Sequence, residues 1–226
     1  MSESGAPAFL FDLDGTLVDS VYQHVLAWRE ALEGAGIELA VWRIHRKIGM
    51  SGGLFLQALV RETGNELGAD QIERLQRAHA AAYLRVVDQV RPLPGARELL
   101  ARLTSLGVPW AIVTSGRLET AAPALARLRV PDHVPIVTRD LVARAKPDPD
   151  LFLEAARQLG VAVSDAVVVG DSVWDLLAAQ RAHTLGVGLL SGGYGQEELE
   201  TAGAYRVYED PRDLLLHLDE VGVRGR

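Results

Sequence analysis

The sequence of 226 residues contains no cysteine. Disulfide bonds, thiol nucleophiles and thiolate metal sites are therefore excluded, and the absence is consistent with a reducing compartment. No stretch approaches the roughly 18 consecutive apolar residues that a membrane-spanning helix needs, so no membrane association is expected. Residues 1–7 also lack the basic region that begins a signal peptide. We therefore expect a cytoplasmic protein.

A basic stripe with interleaved aromatic residues is also absent. Asp and Glu outnumber Lys and Arg by 30 to 23, which gives a formal net charge of −7. This balance argues against nucleic acid as a partner. Hydrophobic residues make up 48% of the chain and charged residues 23%, which predicts a packed core rather than disorder. The length suits one sizeable domain, or a domain with a substantial insertion.

Short apolar runs alternate with helical patterns over most of the chain. Buried parallel strands are predicted at 8–11, 109–113, 134–137, 166–169, 185–190 and 205–208. Helices are predicted between them at 96–106, 118–128 and 151–159. This alternation predicts an α/β fold with a doubly wound parallel sheet.

The alternation stops between the first two strands. Residues 18–91 contain no convincing strand, and helices are predicted there at 22–32, 53–62 and 70–87, the last with Asp70 as its N-cap. Proline and glycine at 92–95 mark the return to the sheet. We therefore predict an α/β core, residues 1–17 and 92–226, with an all-helical domain, residues 18–91, inserted into one crossover.

Polar side chains collect where the predicted strands end. They are Asp12 and Asp14 after the first strand, Thr114, Ser115 and Gly116 after the second, Lys146 before the helix that leads to the fourth, and Asp171 and Asp175 after the fourth. Residues two apart in a strand point to the same side, so both acids of the first pair leave the strand together. Open α/β sheets bind ligands at the carboxyl ends of their strands, so we expect these side chains to converge.

The chemistry of this group indicates Mg²⁺ beside a phosphate. Carboxylate oxygens without Cys or a His pair suit Mg²⁺ rather than zinc, and such an ion binds a substrate phosphate. The Thr114 hydroxyl, backbone N–H groups near Gly116 and the Lys146 ammonium are expected to hold the phosphate oxygens. The expected partner is a small phosphorylated metabolite.

Four motifs, at 12–16, 114–115, 146–147 and 170–175, stand in the order found in the haloacid dehalogenase-like hydrolase superfamily, which the chain resembles. The helical insertion resembles the cap of the subgroup that contains phosphoglycolate phosphatases and β-phosphoglucomutases, and the core strand order implied is 3-2-1-4-5. The resemblance implies that Asp12 is the nucleophile that becomes an aspartyl phosphate, and that Asp14 donates and then accepts the proton. It further implies that Mg²⁺ is held by Asp12, the Asp14 carbonyl and Asp171. The resemblance also implies that Thr114 and Lys146 bind the phosphoryl group and that Asp175 supports the metal site.

Phosphate monoester hydrolysis is the leading prediction, and a phosphosugar mutase is its main alternative. The mutase shares the paired acids and a histidine resembling His24. Its pattern, however, places an Arg shortly after the cap glycine, where this chain has Gly52 and Gly53, and it lacks a carboxylate corresponding to Asp175. A dehalogenase has no need of an acid on a leaving oxygen, and a non-catalytic phosphate-binding protein has little reason to keep both acids.

Two features of the insertion have alternative interpretations. His24 is either a partly buried histidine satisfied by a hydrogen bond or a residue that faces the substrate. The basic, glycine-containing segment 45–53, which includes Arg46 and Lys47, is either a solvated connection or a specificity loop over the phosphate. The sequence leaves open the substrate and whether the protein is a monomer or a dimer.

Overall fold

The computed structural model describes residues 6–64 and 67–224, except the side chains of Val60 and Thr63. Its strands are β1 (Ala8–Phe11), β2 (Val18–Asp19), β3 (Arg91–Pro92), β4 (Trp110–Val113), β5 (Ile136–Val137), β6 (Ala166–Gly170), β7 (Leu185–Leu189) and β8 (Ala204–Tyr208). Its helices are α1 (Val21–Glu33), α2 (Val41–His45), α3 (Gly52–Thr63), α4 (Ala69–Val86), α5 (Ala96–Ser105), α6 (Leu118–Leu128), α7 (Asp150–Leu159), α8 (Val173–Arg181), α9 (Gln196–Thr201) and α10 (Pro211–Leu216).

A six-stranded parallel sheet in the order β5-β4-β1-β6-β7-β8 forms the centre of the fold. Counting only these strands along the chain, the order is 3-2-1-4-5-6. The predicted doubly wound sheet and its order 3-2-1-4-5 are confirmed, with the last strand added at the edge. Strand β5 is shorter than the predicted 134–137, since Pro135 has no N–H for the sheet and contributes only its carbonyl, to Ile112.

The central strands are apolar throughout because helices cover both faces of the sheet. Within β1, Phe9 and Phe11 pack into one core cluster, whereas Ala8 and Leu10 pack into a second cluster on the opposite face. The same alternation continues in β6, where Val167 and Val169 share the cluster of the two phenylalanines. This double burial brings the carboxyl ends of β1, β4 and β6 to one edge.

Helices α1 to α4 lie between β2 and β3 and form the cap. They have a core of their own, which includes Val25, Leu32, Ile44, Phe55 and Leu56. The prediction that residues 18–91 lack a strand is wrong at both ends, because β2 and β3 pair antiparallel, Val18 with Pro92 and Asp19 with Arg91. Two-residue strands are too short to show an alternating pattern, and the five-residue α2 was missed for a similar reason.

Helix α4 begins earlier than its sequence pattern suggested. Its N-cap is Gly68, and Asp70 lies in the first turn, so the prediction of Asp70 as N-cap is wrong. The Gly68 N–H donates to Gln71 Oε1 at 3.0 Å, which starts the helix at Ala69. In the described part of the chain, no helix has the length and apolar character needed to cross a bilayer.

Candidate active site

The strand ends bring the predicted site residues to one place. Asp12 follows β1, Thr114 follows β4 and Asp171 follows β6, and the side chains of all three are almost completely buried. Asp12, Asp14, Thr114, Ser115 and Gly116 line a cavity of about 400 Å³ that lies between the sheet edge and the cap. The parallel sheet thus joins segments that are more than a hundred residues apart in sequence.

Lys146 is completely buried and lies between two carboxylates. Its ammonium forms an ion pair with Asp12 and a second one with Asp175, for which Nζ and Oδ1 are 2.7 Å apart. Burial alone would lower the pKa of Lys146, but the two carboxylates outweigh burial and raise it above its ordinary value. Lys146 is therefore a permanent positive charge inside the site, and it is not a solvated loop lysine.

The acids around this lysine carry more negative charge than it can balance. Asp12, Asp171 and Asp175 each place a carboxylate oxygen within 4.8 Å of the others. Burial, followed by the charges of Asp175 and Asp14, raises the pKa of Asp12 to about 7 although Lys146 opposes the shift. Burial, followed by the charges of Asp175 and Asp12, raises the pKa of Asp171 well above its usual range. Closely spaced hard oxygen donors with uncompensated charge fit a divalent cation such as Mg²⁺.

Both carboxylate oxygens of Asp175 contact other groups of the protein. Its Oδ1 faces Lys146, and its Oδ2 accepts hydrogen bonds from the Ser172 N–H at 3.1 Å and the Ser172 hydroxyl at 2.5 Å. These bonds also cap the N-terminus of α8. Asp175 is therefore suited to positioning Lys146, whereas Asp12 and Asp171 have oxygens more available to a metal.

Two glycines allow the backbone to approach Asp171 closely. Gly15 has a φ of +85°, and a Cβ there would lie 2.5 Å from Asp171 Oδ2. A Cβ at Gly192 would lie 1.7 Å from the same oxygen. The adjacent Ser191 hydroxyl donates to the Gly15 carbonyl at 2.6 Å. The turn at 190–193 thus fixes the loop that carries Asp14, a role that the sequence patterns did not reveal.

Asp14 is held by the first turns of α1. Its Oδ1 accepts a hydrogen bond from the Ser20 hydroxyl at 2.6 Å and lies 3.2 Å from His24 Nε2. Burial would raise the pKa of Asp14, but His24 and Ser20 together outweigh burial and lower it. Asp14 is therefore ionised in the free site, as a proton acceptor must be. The sequence left open whether His24 is satisfied by a hydrogen bond or faces the substrate. In the structure, Asp14 is its hydrogen-bonding partner.

The loop after β4 presents hydroxyl groups to the cavity. Thr114 Oγ1 accepts a hydrogen bond from the Gly116 N–H at 2.9 Å, so its own proton is left to donate elsewhere. This bond engages the backbone N–H that we expected to hold phosphate. Ser115 Oγ is buried and has no hydrogen-bond partner among the described residues. Two hydroxyl donors thus face the same cavity as Asp12.

The cap supplies the opposite wall of the cavity. Its lining residues include Trp28, Lys47, Met50, Gly52, Phe55, Gln76, Arg77 and His79. Lys47 is 16% exposed and pairs with Glu62, with 2.6 Å between Nζ and Oε1. His79 belongs to this wall and has an imidazole that can donate or accept a hydrogen bond. The sequence did not indicate it, because a histidine in the middle of a helix belongs to no recognisable motif.

The segment 45–49 docks on the core and is not a solvated connection. His45 Nε2 lies 2.8 Å from the Gly192 carbonyl oxygen, and the Tyr194 hydroxyl donates to the Arg46 carbonyl at 2.8 Å. The Arg46 guanidinium pairs with Glu198 and lies 4.3 Å from the centre of the Tyr194 ring. Arg46 therefore connects the cap to the core outside the cavity, whereas Lys47 faces into it.

The sequence model of a family described as haloacid dehalogenase-like hydrolase matches residues 6–183. The chain belongs to this family. A phosphoglycolate phosphatase from Caulobacter vibrioides is 32% identical over 210 residues, which are 92% of this chain and 85% of the relative. A β-phosphoglucomutase from Bacillus subtilis is 31% identical over 217 residues, 93% of this chain and 92% of the relative.

A crystal structure of a hydrolase from Pseudomonas syringae superposes with a TM-score of 0.94. Its sequence is 56% identical, and the match covers 96% of this chain and all of that one. The predicted superfamily, its subgroup with a helical cap, and the class of enzyme, a phosphatase-type hydrolase, are confirmed. The alternative of a non-catalytic phosphate-binding protein is not supported.

Proposed function

We propose that the enzyme is a Mg²⁺-dependent phosphatase that hydrolyses a small phosphate monoester through an aspartyl phosphate. The observation that carries this proposal is the fully buried Lys146, paired with Asp12 and Asp175, two acids that cluster with Asp171 next to the cavity. A nucleophilic carboxylate needs its own charge offset before it can approach a phosphate. The proposed substrate is a small phosphorylated metabolite, and the cytoplasmic location stays a prediction.

Asp12 is proposed to carry out the first displacement. One carboxylate oxygen of Asp12 attacks phosphorus, the P–O bond to the leaving group breaks, and Asp14 in its protonated form gives its proton to the departing oxygen. The products of this step are an alcohol and an aspartyl phosphate. Lys146 and the hydroxyl groups of Thr114 and Ser115 are proposed to bind the phosphoryl oxygens throughout.

Asp14 is proposed to carry out the second step as a base. Its carboxylate takes a proton from water, the oxygen of that water attacks phosphorus, and the P–O bond to Asp12 breaks. Inorganic phosphate leaves, Asp12 is regenerated, and Asp14 is protonated again for the next cycle. The lowered pKa of Asp14 in the free site suits this second role, and the negative charge of a bound substrate raises that pKa for the first.

Asp12, Asp171 and the backbone carbonyl of Asp14 would hold the metal. Bound Mg²⁺ would supply positive charge that offsets the carboxylates and the phosphate oxygens during transfer. We also propose residues 18–91 as the cap and residues 1–17 and 92–226 as the core, in agreement with the separate hydrophobic core of α1 to α4.

The mutase remains the second candidate, because one relative of similar identity is a β-phosphoglucomutase. A mutase must hold two phosphates and turn its intermediate between them. In this chain Gly52 lines the cavity at the position where the mutase pattern has an Arg, and a Cβ there would already lie 3.4 Å from Trp28 and Gln76. The cavity wall therefore lacks a cation at this position, which favours hydrolysis.

Turnover of an aryl phosphate tests the proposal. The wild-type enzyme should release inorganic phosphate, lose this activity in a chelator and regain it with Mg²⁺. Asp12→Asn should lower kcat by about 1,000-fold or more, whereas Asp132→Asn on an exposed turn should leave it unchanged. An acid-quenched Asp14→Asn sample should retain the phosphoryl group on Asp12. Substantial turnover by Asp12→Asn would exclude Asp12 as nucleophile, and interconversion of sugar phosphates dependent on a bisphosphate would indicate the mutase.

A further inference from the structure

Two histidines of the cap meet edge to edge next to Asp14. His24 Nδ1, on α1, lies 3.1 Å from His79 Nε2, on α4, and His24 Nε2 lies 3.2 Å from Asp14 Oδ1. The two imidazole centres are 5.2 Å apart and their planes differ by 26°, so the facing nitrogens approach along the ring edges. Asp14, His24 and His79 thus form a continuous chain of polar atoms from the core into the cap.

An aromatic ring fixes the orientation of each histidine. The Tyr83 ring lies flat against His24, with 3.8 Å between centres and 7° between planes. The Trp28 ring lies flat against His79, with 4.1 Å between centres and 12° between planes. Tyr83 and Trp28 are themselves buried. Because neither imidazole can rotate freely, the meeting of their nitrogens is a property of the packed cap.

The proton positions follow from the acceptors. Asp14 Oδ1 already accepts a hydrogen bond from the Ser20 hydroxyl, so the Nε2 of His24, 3.2 Å from the same oxygen, must carry a hydrogen in order to bond to it. When His24 carries its single N–H on Nε2, its Nδ1 has a lone pair that faces His79 Nε2 at 3.1 Å and requires a donor. Burial lowers the pKa of His79 well below its usual value, so His79 is neutral and carries a single N–H. If that hydrogen is on Nε2, both contacts of His24, with Asp14 and with His79, are hydrogen bonds with one donor and one acceptor each.

We propose that His79 is a positioning residue, which donates its Nε2–H to His24 Nδ1 and thereby holds the Nε2–H of His24 on Asp14. The role rests on the proposed function in one respect, namely that Asp14 moves the proton. It extends that function to the cap, because the orientation of the acid–base group in the core depends on a side chain of α4. Cap placement and proton transfer are therefore linked through one hydrogen-bonded chain.

The tautomers provide a test that does not depend on activity. Long-range ¹H–¹⁵N spectra at pH 8, with His24 signals assigned by their loss in His24→Gln, should show both His24 and His79 protonated on Nε2. In His79→Phe, which keeps a ring against Trp28 but has no N–H, His24 should become a mixture of tautomers. His79→Gln, whose amide nitrogen can replace Nε2, should restore a single tautomer. A His24 protonated on Nδ1 in the wild-type protein would overturn the proposal.

Kinetics then separate positioning from substrate contact. His79→Phe should lower kcat by about tenfold, in the range typical of residues that orient a reacting group, while KM changes by less than about twofold. His79→Gln should recover most of the loss, and His133→Phe at an exposed site should change neither constant. A raised KM with unchanged kcat would make His79 a substrate contact instead and overturn the proposal. If the wild-type enzyme shows no phosphatase activity, the proposed function fails while the tautomer result still decides the role of His79.

Discussion

Removing the buried charge of Lys146 is the most direct test of how the site is held together. Lys146→Met keeps an unbranched, flexible side chain but removes the ammonium that pairs with Asp12 and Asp175. As whole residues, Asp12 and Asp175 are 5% and 1% exposed, so water cannot replace the lost charge. The variant is therefore expected to be less stable when no metal is present.

The magnitude follows from the geometry. At 2.7 Å between Lys146 Nζ and Asp175 Oδ1, an effective dielectric constant of about 20 gives a Coulomb attraction of about 6 kcal/mol. Much of this attraction is offset by the cost of taking the charges out of water. Removing one partner of a buried ion pair typically costs about 3–5 kcal/mol. For a chain of this length, such a loss lowers the melting temperature by about 6–20 °C.

Urea unfolding at pH 7.5 in a chelator measures the effect. Lys146→Met should lose about 3–5 kcal/mol in the free energy of unfolding, and adding Asp175→Asn should recover about 1–3 kcal/mol, because the second acid no longer lies unpaired. Lys47→Met is the matched control, since its partner Glu62 is 39% exposed and the expected loss is about 1 kcal/mol or less. A loss below about 1 kcal/mol for Lys146→Met, or no recovery in the double variant, would refute the reasoning.

Three further predictions concern the metal, the first loop and the contact between cap and core. Burial raises the pKa of Asp12 to about 7, so without metal the native state keeps a proton that the unfolded chain loses. The free energy of unfolding should therefore fall as pH rises from about 4 to about 7. Mg²⁺ should accordingly raise the melting temperature more at pH 8 than at pH 5, and equal shifts at the two pH values would contradict the metal assignment. Gly15→Ala should lower the free energy of unfolding in urea by about 1–3 kcal/mol and reduce the rise in melting temperature caused by Mg²⁺. Gly36→Ala is the control, because Gly36 has a similar φ of +75° but no atom near its Cβ position. It should cost less stability and leave the effect of Mg²⁺ unchanged. Glu198→Gln should lower the free energy of unfolding by less than about 1 kcal/mol, because the ion pair with Arg46 is about 40% exposed on both sides; a larger loss would show that this contact is tighter than its exposure indicates.

The core could be predicted from the sequence because its signals are local and repeat along the chain. Each buried strand is a short apolar run, and each run stops at the polar residues that form the site, as at Asp12 and Asp171. A parallel sheet places all such ends on one edge, so the list of strands already implied which side chains converge. Lys146 follows no strand directly; it was predicted from its place before the helix that leads to the fourth strand, and its complete burial was visible only in the structure.

The cap side of the site could not be predicted in this way, because its residues are related only by helix packing. His24 and His79 are 55 positions apart on two helices, and nothing in either local pattern indicates that their rings meet. Their contact depends on the rotation of α1 against α4, which is set by buried side chains spread over both helices. The same holds for Gly192, whose importance lies in a missing Cβ next to Asp171. The local strand signals therefore suffice to place Asp12, the proposed nucleophile, whereas the contact of His79 with His24 depends on how the cap helices pack.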